Sequence, residues 1–97
     1  MGMLSDHEGD RQLKSLPGWE RATVGGKPGI QKTYKTSDFM TGLGFVTRVA
    51  VLAEMANHHP DALLTYPRVT FMLTTHDAGG LTQKDLDLAQ KIEGLTI

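Results

Sequence analysis

The segment that most constrains the fold is 36–57, where apolar residues recur at the spacing of a long helix. Thr36 and Ser37 carry hydroxyl groups that can cap its start, and Asp38 suits the positive end of the helix dipole. Two apolar stripes follow the helical period. The first stripe comprises Phe39, Leu43, Val46, Ala50 and Ala53, and the second comprises Phe45, Val49, Leu52 and Ala56. A helix with two apolar stripes needs two packing partners.

One stripe is expected to cover a sheet, and the other is expected to meet a second copy of the chain. The second stripe has only Arg48 and Glu54 as charges near it, so it would form an exposed apolar patch on a monomer. The sequence therefore predicts a homo-oligomer joined through helix 37–57. Val49 and Leu52 are expected to lie at an isologous contact, in which each copy meets its own counterpart.

Two pairs of strand-like runs flank this helix. Residues 19–24 and 30–35 are joined by the glycine-rich segment 25–29, and residues 62–66 and 69–75 are separated by little more than Pro67 and Arg68. Two capped helices are predicted at the ends of the chain, with the capping residues Ser5 and Glu8 in the first and Thr82 and Asp85 in the last. The order α-β-β-α-β-β-α predicts an α+β fold, with a four-stranded antiparallel sheet and three helices on one face. Residues 1–97 are expected to form a single domain.

The composition excludes several classes of function. The chain has 97 residues, a formal net charge of −1 and no cysteine, so disulfide frameworks and thiolate chemistry are excluded. The ten Lys and Arg residues are scattered rather than gathered in a basic stripe, so no direct nucleic-acid ligand is expected. No uninterrupted apolar run approaches eighteen residues, so neither a signal peptide nor a membrane span is predicted. We expect a cytoplasmic protein.

Three histidines occupy positions where secondary-structure elements end. His58 and His59 precede Pro60, which is expected to end the long helix there, and His76 closes the alternating run of the last strand. If the helix and the strand are neighbours, the three imidazoles converge. Histidine exchanges protons near neutral pH, so the cluster is suited to general acid–base catalysis. Glu54 lies one helical turn before His58 and is predicted to hydrogen-bond to that imidazole.

A zinc site is the alternative use of three histidines. The adjacent His58 and His59 point in different directions on any regular backbone, and the chain has no second histidine–carboxylate pattern to support them. No metal site is therefore predicted.

These residues also form a spaced set that resembles the signature of the pterin-4a-carbinolamine dehydratases. The set consists of Glu54, His58, His59, Pro60, Tyr66, His76 and Asp85. The resemblance extends to GFVTRVAVLAE at 44–54, to the whole of 66–89 and to Gly18 with Trp19, so it covers nearly the entire chain. One position departs from the pattern, since much of the family carries a tryptophan where this chain has Ala62.

The resemblance implies dehydration of 4a-hydroxytetrahydrobiopterin, in the recycling of the tetrahydrobiopterin used by aromatic amino acid hydroxylases. His58 and His76 are the implied proton-transferring pair, with the acid and the base not assigned, and His59 is implied to hold the pterin. The positions that correspond to the family's catalytic set are Glu54, His58, His59, His76 and Asp85. The substrate-binding positions are Asn57, His58, His59, Thr74, Thr75, His76 and Asp77. Asp85 can also be the cap of the last helix, and the two roles can coexist.

The resemblance also bears on cofactors and partners. It implies no cofactor beyond the pterin substrate, and it implies a homotetramer or homodimer joined through the long helix. The alternative function is that of a non-enzymatic interaction protein. Animal members of the family also act as dimerisation cofactors of a homeodomain transcription factor through this helix.

Overall fold

A computed structural model describes residues 2–95 of the chain and has three helices and one sheet. The elements in chain order are α1 (Asp6–Leu13), β1 (Glu20–Val24), β2 (Lys27–Lys35), α2 (Phe39–Ala56), β3 (Asp61–Thr65), β4 (Arg68–Leu73), a 3₁₀ turn (His76–Ala78) and α3 (Gln83–Glu93). All strand pairs are antiparallel, and the strand order is β1-β2-β4-β3. The α+β fold and the order α-β-β-α-β-β-α predicted from the sequence are confirmed.

The core lies between the helices and one face of the sheet. Val69, Phe71 and Leu73 alternate along β4 and are fully buried, as expected for one face of a central strand. The Phe45 ring of α2 meets Phe71 with ring centroids 5.3 Å apart and Tyr34 of β2 at 4.9 Å, both edge to face. This is the favoured geometry for aromatic pairs, and it ties α2 to the two central strands.

The predicted orientation of α2 is wrong. Phe45 and Val49 of the second stripe are 0% and 1% exposed, so this stripe faces the sheet and not another subunit. Gly42 lies on the same side of α2, and a Cβ atom there would lie 2.8 Å from Leu64 Cδ1 of β3, so the tip of that leucine would have to shift. This side of α2 therefore packs closely against the sheet. The buried residues of α2 are Gly42, Phe45, Val49 and Ala53.

A different apolar stripe of α2 is exposed. Its large side chains are those of Met40, Leu43, Val51 and Met55, with exposures from 43% to 79%. The helix has 18 residues and a mean hydropathy of 1.4, so by length and composition it could cross a membrane, which the sequence analysis did not anticipate. In the described structure one side of this helix packs over the sheet, and 22% of the span is buried.

Several boundaries also differ from the predictions. The first hairpin turns at Gly25 and Gly26 alone, so β2 begins at residue 27 rather than at 30. The strand β4 ends at Leu73, before the predicted end. The cap of α2 is Asp38, whose carboxylate accepts a hydrogen bond from the Thr41 backbone N–H at 2.7 Å.

The capping box predicted for α1 is only half formed. The Ser5 hydroxyl accepts a hydrogen bond from the Glu8 backbone N–H at 3.1 Å, as expected for the N-cap residue. The Glu8 carboxylate instead accepts hydrogen bonds from the Arg11 and Gln12 side chains, which lie along its own helix.

The C-terminal end of α3 is fixed to the sheet by one carboxylate oxygen. Glu93 Oε2 accepts hydrogen bonds from Lys32 Nζ at 2.7 Å, from Trp19 Nε1 at 3.2 Å and from the Tyr34 hydroxyl. Burial by itself raises the pKa of Glu93, but the donors from Lys32, Tyr34 and Trp19 favour the anion and hold the pKa below its ordinary value. Burial and the adjacent carboxylate raise the pKa of the Tyr34 hydroxyl. This network joins the residue before β1, the strand β2 and the end of α3.

Replacing Glu93 with glutamine should lower the free energy of unfolding at pH 7 by about 1–2 kcal/mol, because three donors lose their anionic acceptor. The Glu93 pKa is lowered in the folded state. The contribution of the Glu93 carboxylate to the free energy of unfolding is therefore present above its unfolded-state pKa of about 4.3. It is lost as the pH falls through its pKa in the folded state. Urea denaturation followed by circular dichroism at pH 7, 5 and 3 measures the effect. Glu20→Gln, at an exposed position of β1, is the control. A stability difference that stays unchanged down to pH 3 would contradict the assignment.

Candidate active site

The C-terminal end of α2 sets the directions of the adjacent histidines. Asn57 adopts a left-handed conformation with φ of 50°, which asparagine tolerates better than most residues. The Asn57 N–H donates to Glu54 O at 3.2 Å, and the His58 N–H donates to Ala53 O at 3.1 Å. These two bonds form a Schellman motif. The helix therefore ends within one residue of the predicted end at residue 57, but the left-handed Asn57 ends it and not Pro60.

His58 turns inward and contacts a buried carboxylate. Its Nε2 lies 2.6 Å from Asp85 Oδ1, and the Asp85 side chain is fully buried. Because an ionised carboxylate only accepts hydrogen bonds, Nε2 carries a proton and donates it. The Nδ1 atom is then the ring nitrogen of His58 that remains for proton exchange.

Asp85 is itself held by the start of α3 and the segment after β4. Its Oδ2 accepts hydrogen bonds from the Thr82 backbone N–H and the Thr75 hydroxyl, both at 2.9 Å. Since the Thr75 hydroxyl hydrogen is used in this way, the Thr82 hydroxyl donates to Thr75 Oγ1 at 2.7 Å. Asp85 therefore caps α3, as predicted, and positions His58 as well.

His59 turns outward and pairs with Glu54. Its Nε2 lies 2.7 Å from Glu54 Oε2, and the two side chains are 60% and 76% exposed. The predicted hydrogen bond between Glu54 and His58 is wrong in this structure. A contact at i, i+4 requires the helix to continue through residue 58, and the left-handed Asn57 ends it first.

The third histidine lies beyond β4 rather than at its end. After Leu73, the Thr74 hydroxyl donates to Pro28 O at 2.8 Å, and Thr75 forms an isolated bridge with Gly80. His76 follows in the 3₁₀ turn and is exposed. A Cβ atom at Gly25 would lie 3.2 Å from His76 Cε1, so the turn of the first hairpin packs beside this imidazole.

The three histidines meet at one polar pocket of about 290 Å³, which we call the histidine pocket. It is lined by Asn57, His58, His59, Thr74, Thr75, His76, Asp77 and Lys84. It thus contains every residue predicted to bind the substrate. Glu54 and Asp85 do not line it, and each lies one hydrogen bond behind a histidine that does.

Lys84 was missed by the sequence analysis. An exposed lysine in the first turn of a helix carries no periodic signal, and its position next to Asp85 was the only available hint. Tyr66, part of the spaced set, is 67% exposed in the β3–β4 turn and does not line the histidine pocket. Within residues 2–95, no group of three or more His, Asp or Glu side chains is arranged to hold a metal ion.

Comparisons with known proteins agree with this architecture. The sequence model of the pterin 4 alpha carbinolamine dehydratase family matches residues 2–95. A relative from Thermosynechococcus vestitus that carries this family name is 45% identical over 97% of the chain and 95% of its own length. A relative of the same name from a Roseiflexus species is 50% identical over 93% of the chain and 92% of its own length.

Two solved structures share the fold. The crystal structure of a Brucella melitensis protein titled transcriptional coactivator/pterin dehydratase superposes with a TM-score of 0.86 at 34% identity. The match covers 96% of this chain and 97% of that one. A pterin dehydratase-like protein described as a RuBisCO assembly factor in the alpha-carboxysome has a TM-score of 0.65 at 15% identity, and that likeness concerns the fold alone. The family model and the relatives span almost the whole chain, and the protein therefore belongs to the pterin-4-alpha-carbinolamine dehydratase family of enzymes.

Proposed function

We propose that the histidine pocket dehydrates 4a-hydroxytetrahydropterins, with 4a-hydroxytetrahydrobiopterin among them, by histidine general acid–base catalysis. The observation that carries the proposal is the meeting of His58, from the end of α2, and His76, from the turn after β4, at one polar pocket. Membership of the dehydratase family supplies the reaction class. The pocket volume of about 290 Å³ is near the lower end of the range for small-molecule sites.

The reaction needs two proton transfers and no change of oxidation state. A base removes the proton from N5 of the carbinolamine, and the electron pair of that N–H bond forms the C4a=N5 double bond. The C4a–O bond breaks, and the departing hydroxyl takes a proton from an acid and leaves as water. The product is the quinonoid dihydropterin. One acid and one base, reset by exchange with solvent, complete the cycle.

His58 and His76 are the proposed proton-transferring pair. The hydrogen bond to Asp85 fixes the His58 tautomer, so that Nδ1 is available to exchange a proton with the ligand. His76 is exposed and lies at the pocket wall formed after β4, which suits exchange with both substrate and solvent. Either imidazole can serve as the acid in this arrangement.

The remaining residues of the histidine pocket are proposed to bind the pterin ring. His59, supported by Glu54, contributes an imidazole at the rim. The hydroxyl hydrogens of Thr74 and Thr75 are already donated to Pro28 O and Asp85, and the Thr75 backbone N–H and C=O are paired with Gly80, so these residues offer the acceptor lone pairs of their hydroxyl oxygens. The ring's amino group and N–H need such acceptors, and the Asp77 carboxylate and the Asn57 amide supply more of them.

The proposed chemistry requires no metal and no organic cofactor. It also indicates which kind of reaction supplies the substrate, since 4a-hydroxytetrahydropterins arise where a tetrahydropterin donates electrons to an oxygen-using hydroxylase. We place the enzyme in the cytoplasm, in the recycling of tetrahydrobiopterin used by aromatic amino acid hydroxylases.

Replacing His58 or His76 with alanine should lower kcat by roughly 10²–10⁴-fold, the range typical of lost general acid–base catalysis. His59→Ala should mainly raise KM, because its proposed role is binding. The loss of the 4a-hydroxytetrahydropterin absorbance measures these rates. His7→Ala, an exposed histidine on α1, is the matched control and should retain full activity. Chelator treatment should leave the wild-type rate unchanged. A wild-type rate no greater than that of buffer alone would end the proposal.

Replacing Asp85 with asparagine should lower kcat by about 10–100-fold with little change in KM, because the amide no longer enforces the His58 tautomer. Asp87→Asn, two residues along at an exposed position of α3, is the control. Thermal unfolding of both variants separates loss of the helix cap from loss of catalysis. If the Asp85 variant lost stability but kept the wild-type kcat, the carboxylate would be a helix cap alone.

We also propose that the protein forms a homotetramer or homodimer through α2. The exposed stripe of Met40, Leu43, Val51 and Met55 supports this, since a monomer would leave it in water. The same stripe is the surface that a coactivator role would use, and the Brucella protein's title couples that role with the dehydratase. Self-association and binding of a different partner are therefore the two uses of one surface.

Replacing Val51 and Met55 together with glutamate should split the oligomer into smaller species without unfolding the domain, because both side chains are exposed. Val49→Glu is the contrasting variant and should unfold the domain, since Val49 lies in the core. Light scattering and circular dichroism distinguish the two results. A monomeric wild-type protein at micromolar concentration would refute self-association and leave the interaction role for this surface.

A further inference from the structure

A second cavity, of about 320 Å³, lies between α2 and the β3 side of the sheet. We call it the alanine pocket, because Ala50 and Ala53 of α2 and Ala62 of β3 form much of its wall. Val46, Val49 and Phe71 complete the apolar lining, and Glu54, His59 and Pro60 form the polar end. In size the alanine pocket matches the histidine pocket, but its wall is largely aliphatic and aromatic.

The alanine pocket exists because small side chains face each other across it. Ala62 pairs with Phe71 on the neighbouring strand, so both side chains lie on the sheet face that the helices cover. Phe71 is fully buried, whereas Ala62 is exposed despite facing the helical layer. On the helix side, Ala50 and Ala53 contribute only methyl groups, alongside the larger side chains of the two lining valines. Protein interiors are usually close-packed, so these small residues leave a depression at the helix–sheet contact, open to solvent at Ala62, that a small apolar group can fill.

The alanine pocket and the histidine pocket share one wall. His59 lines both of them, and its hydrogen-bonded partner Glu54 lines the alanine pocket. Both side chains are mostly exposed and are not anchored in the core. A ligand held in the histidine pocket can therefore extend past the His59 imidazole into the alanine pocket.

We infer that the alanine pocket is a subsite for an apolar substituent on the pterin whose ring occupies the histidine pocket. The inference rests on the proposed function and narrows its substrate class. Aliphatic and aromatic walls favour an apolar group. The hydroxylated C6 chain of biopterin can still hydrogen-bond to Glu54 and His59 at the polar end, but its hydroxyl groups gain no partners from the alanine, valine and phenylalanine side chains. The substituent is attached at C6, next to N5, where it can pass from one pocket to the other. The favoured ligands are pterins with a compact aromatic or branched alkyl group at C6.

Binding of two unreactive probes tests the inference, with 6-methylpterin and 6-phenylpterin titrated by their own fluorescence. Wild-type protein should bind 6-phenylpterin about tenfold more tightly than 6-methylpterin, as expected when a large apolar group enters an apolar pocket. Ala62→Trp fills the alanine pocket and should abolish that difference, while the affinity for 6-methylpterin stays within about twofold. Leu63→Trp is the matched control, because Leu63 is the next residue of β3, alternates to the opposite sheet face and is exposed.

The outcomes separate this inference from the proposed function. Equal affinity for the two probes in wild-type protein, with dehydratase activity present, would overturn the subsite alone. If neither probe bound and no dehydration occurred, both proposals would fall. A change of oligomeric state in Ala62→Trp with the discrimination intact would assign the alanine pocket to a second copy of the chain and overturn the inference. Ala50→Phe fills the same space from the helix and gives the same test if the strand variant folds poorly.

Discussion

The buried carboxylate of Asp85 is the constraint on which the histidine pocket depends. It accepts hydrogen bonds from His58 at the end of α2, from Thr75 after β4 and from the backbone of Thr82 at the start of α3. An isolated buried charge costs several kcal/mol, so the three donors and the carboxylate must be brought together by the same fold. Each of these three elements is thereby held in register with the others. Asp85 caps α3 and also contacts His58, so the start of α3 fixes the position of the His58 imidazole as much as the end of α2 does.

The left-handed residue Asn57 gives the two adjacent histidines different surroundings. His58 is buried and has a fixed tautomer, whereas His59 is mostly exposed and pairs with the equally exposed Glu54. A rigid imidazole suits proton transfer, since the geometry must be ready before the substrate arrives. An exposed imidazole suits contact with ligands of differing shape. The division of roles that we propose therefore has a physical origin in one backbone conformation.

The helix α2 meets its surroundings in three different ways. The side with Gly42, Phe45 and Val49 packs tightly against the sheet. The side with Ala50 and Ala53 leaves the alanine pocket open beside β3, and a third side exposes Val51 and Met55 to solvent. Small and large residues alternate around this helix, so packing, ligand space and an association surface can share 18 residues.

The sequence alone determined the element order, the α+β class, the Thr82–Asp85 cap and, apart from Lys84, the residues that line the histidine pocket. These rest on local signals, namely alternation, capping chemistry and the positions of element ends, together with a resemblance over nearly the whole chain. Only the tertiary structure decided which side of α2 is buried, because periodicity marks apolar positions, while the contacts of Phe45 with Tyr34 and Phe71 decide which of them faces the sheet. The partners of His58 and His59 were likewise decided by the tertiary structure. Because the helix ends at Asn57, the expected i, i+4 contact between Glu54 and His58 does not form. His58 instead contacts the carboxylate of Asp85, 27 residues away in the sequence.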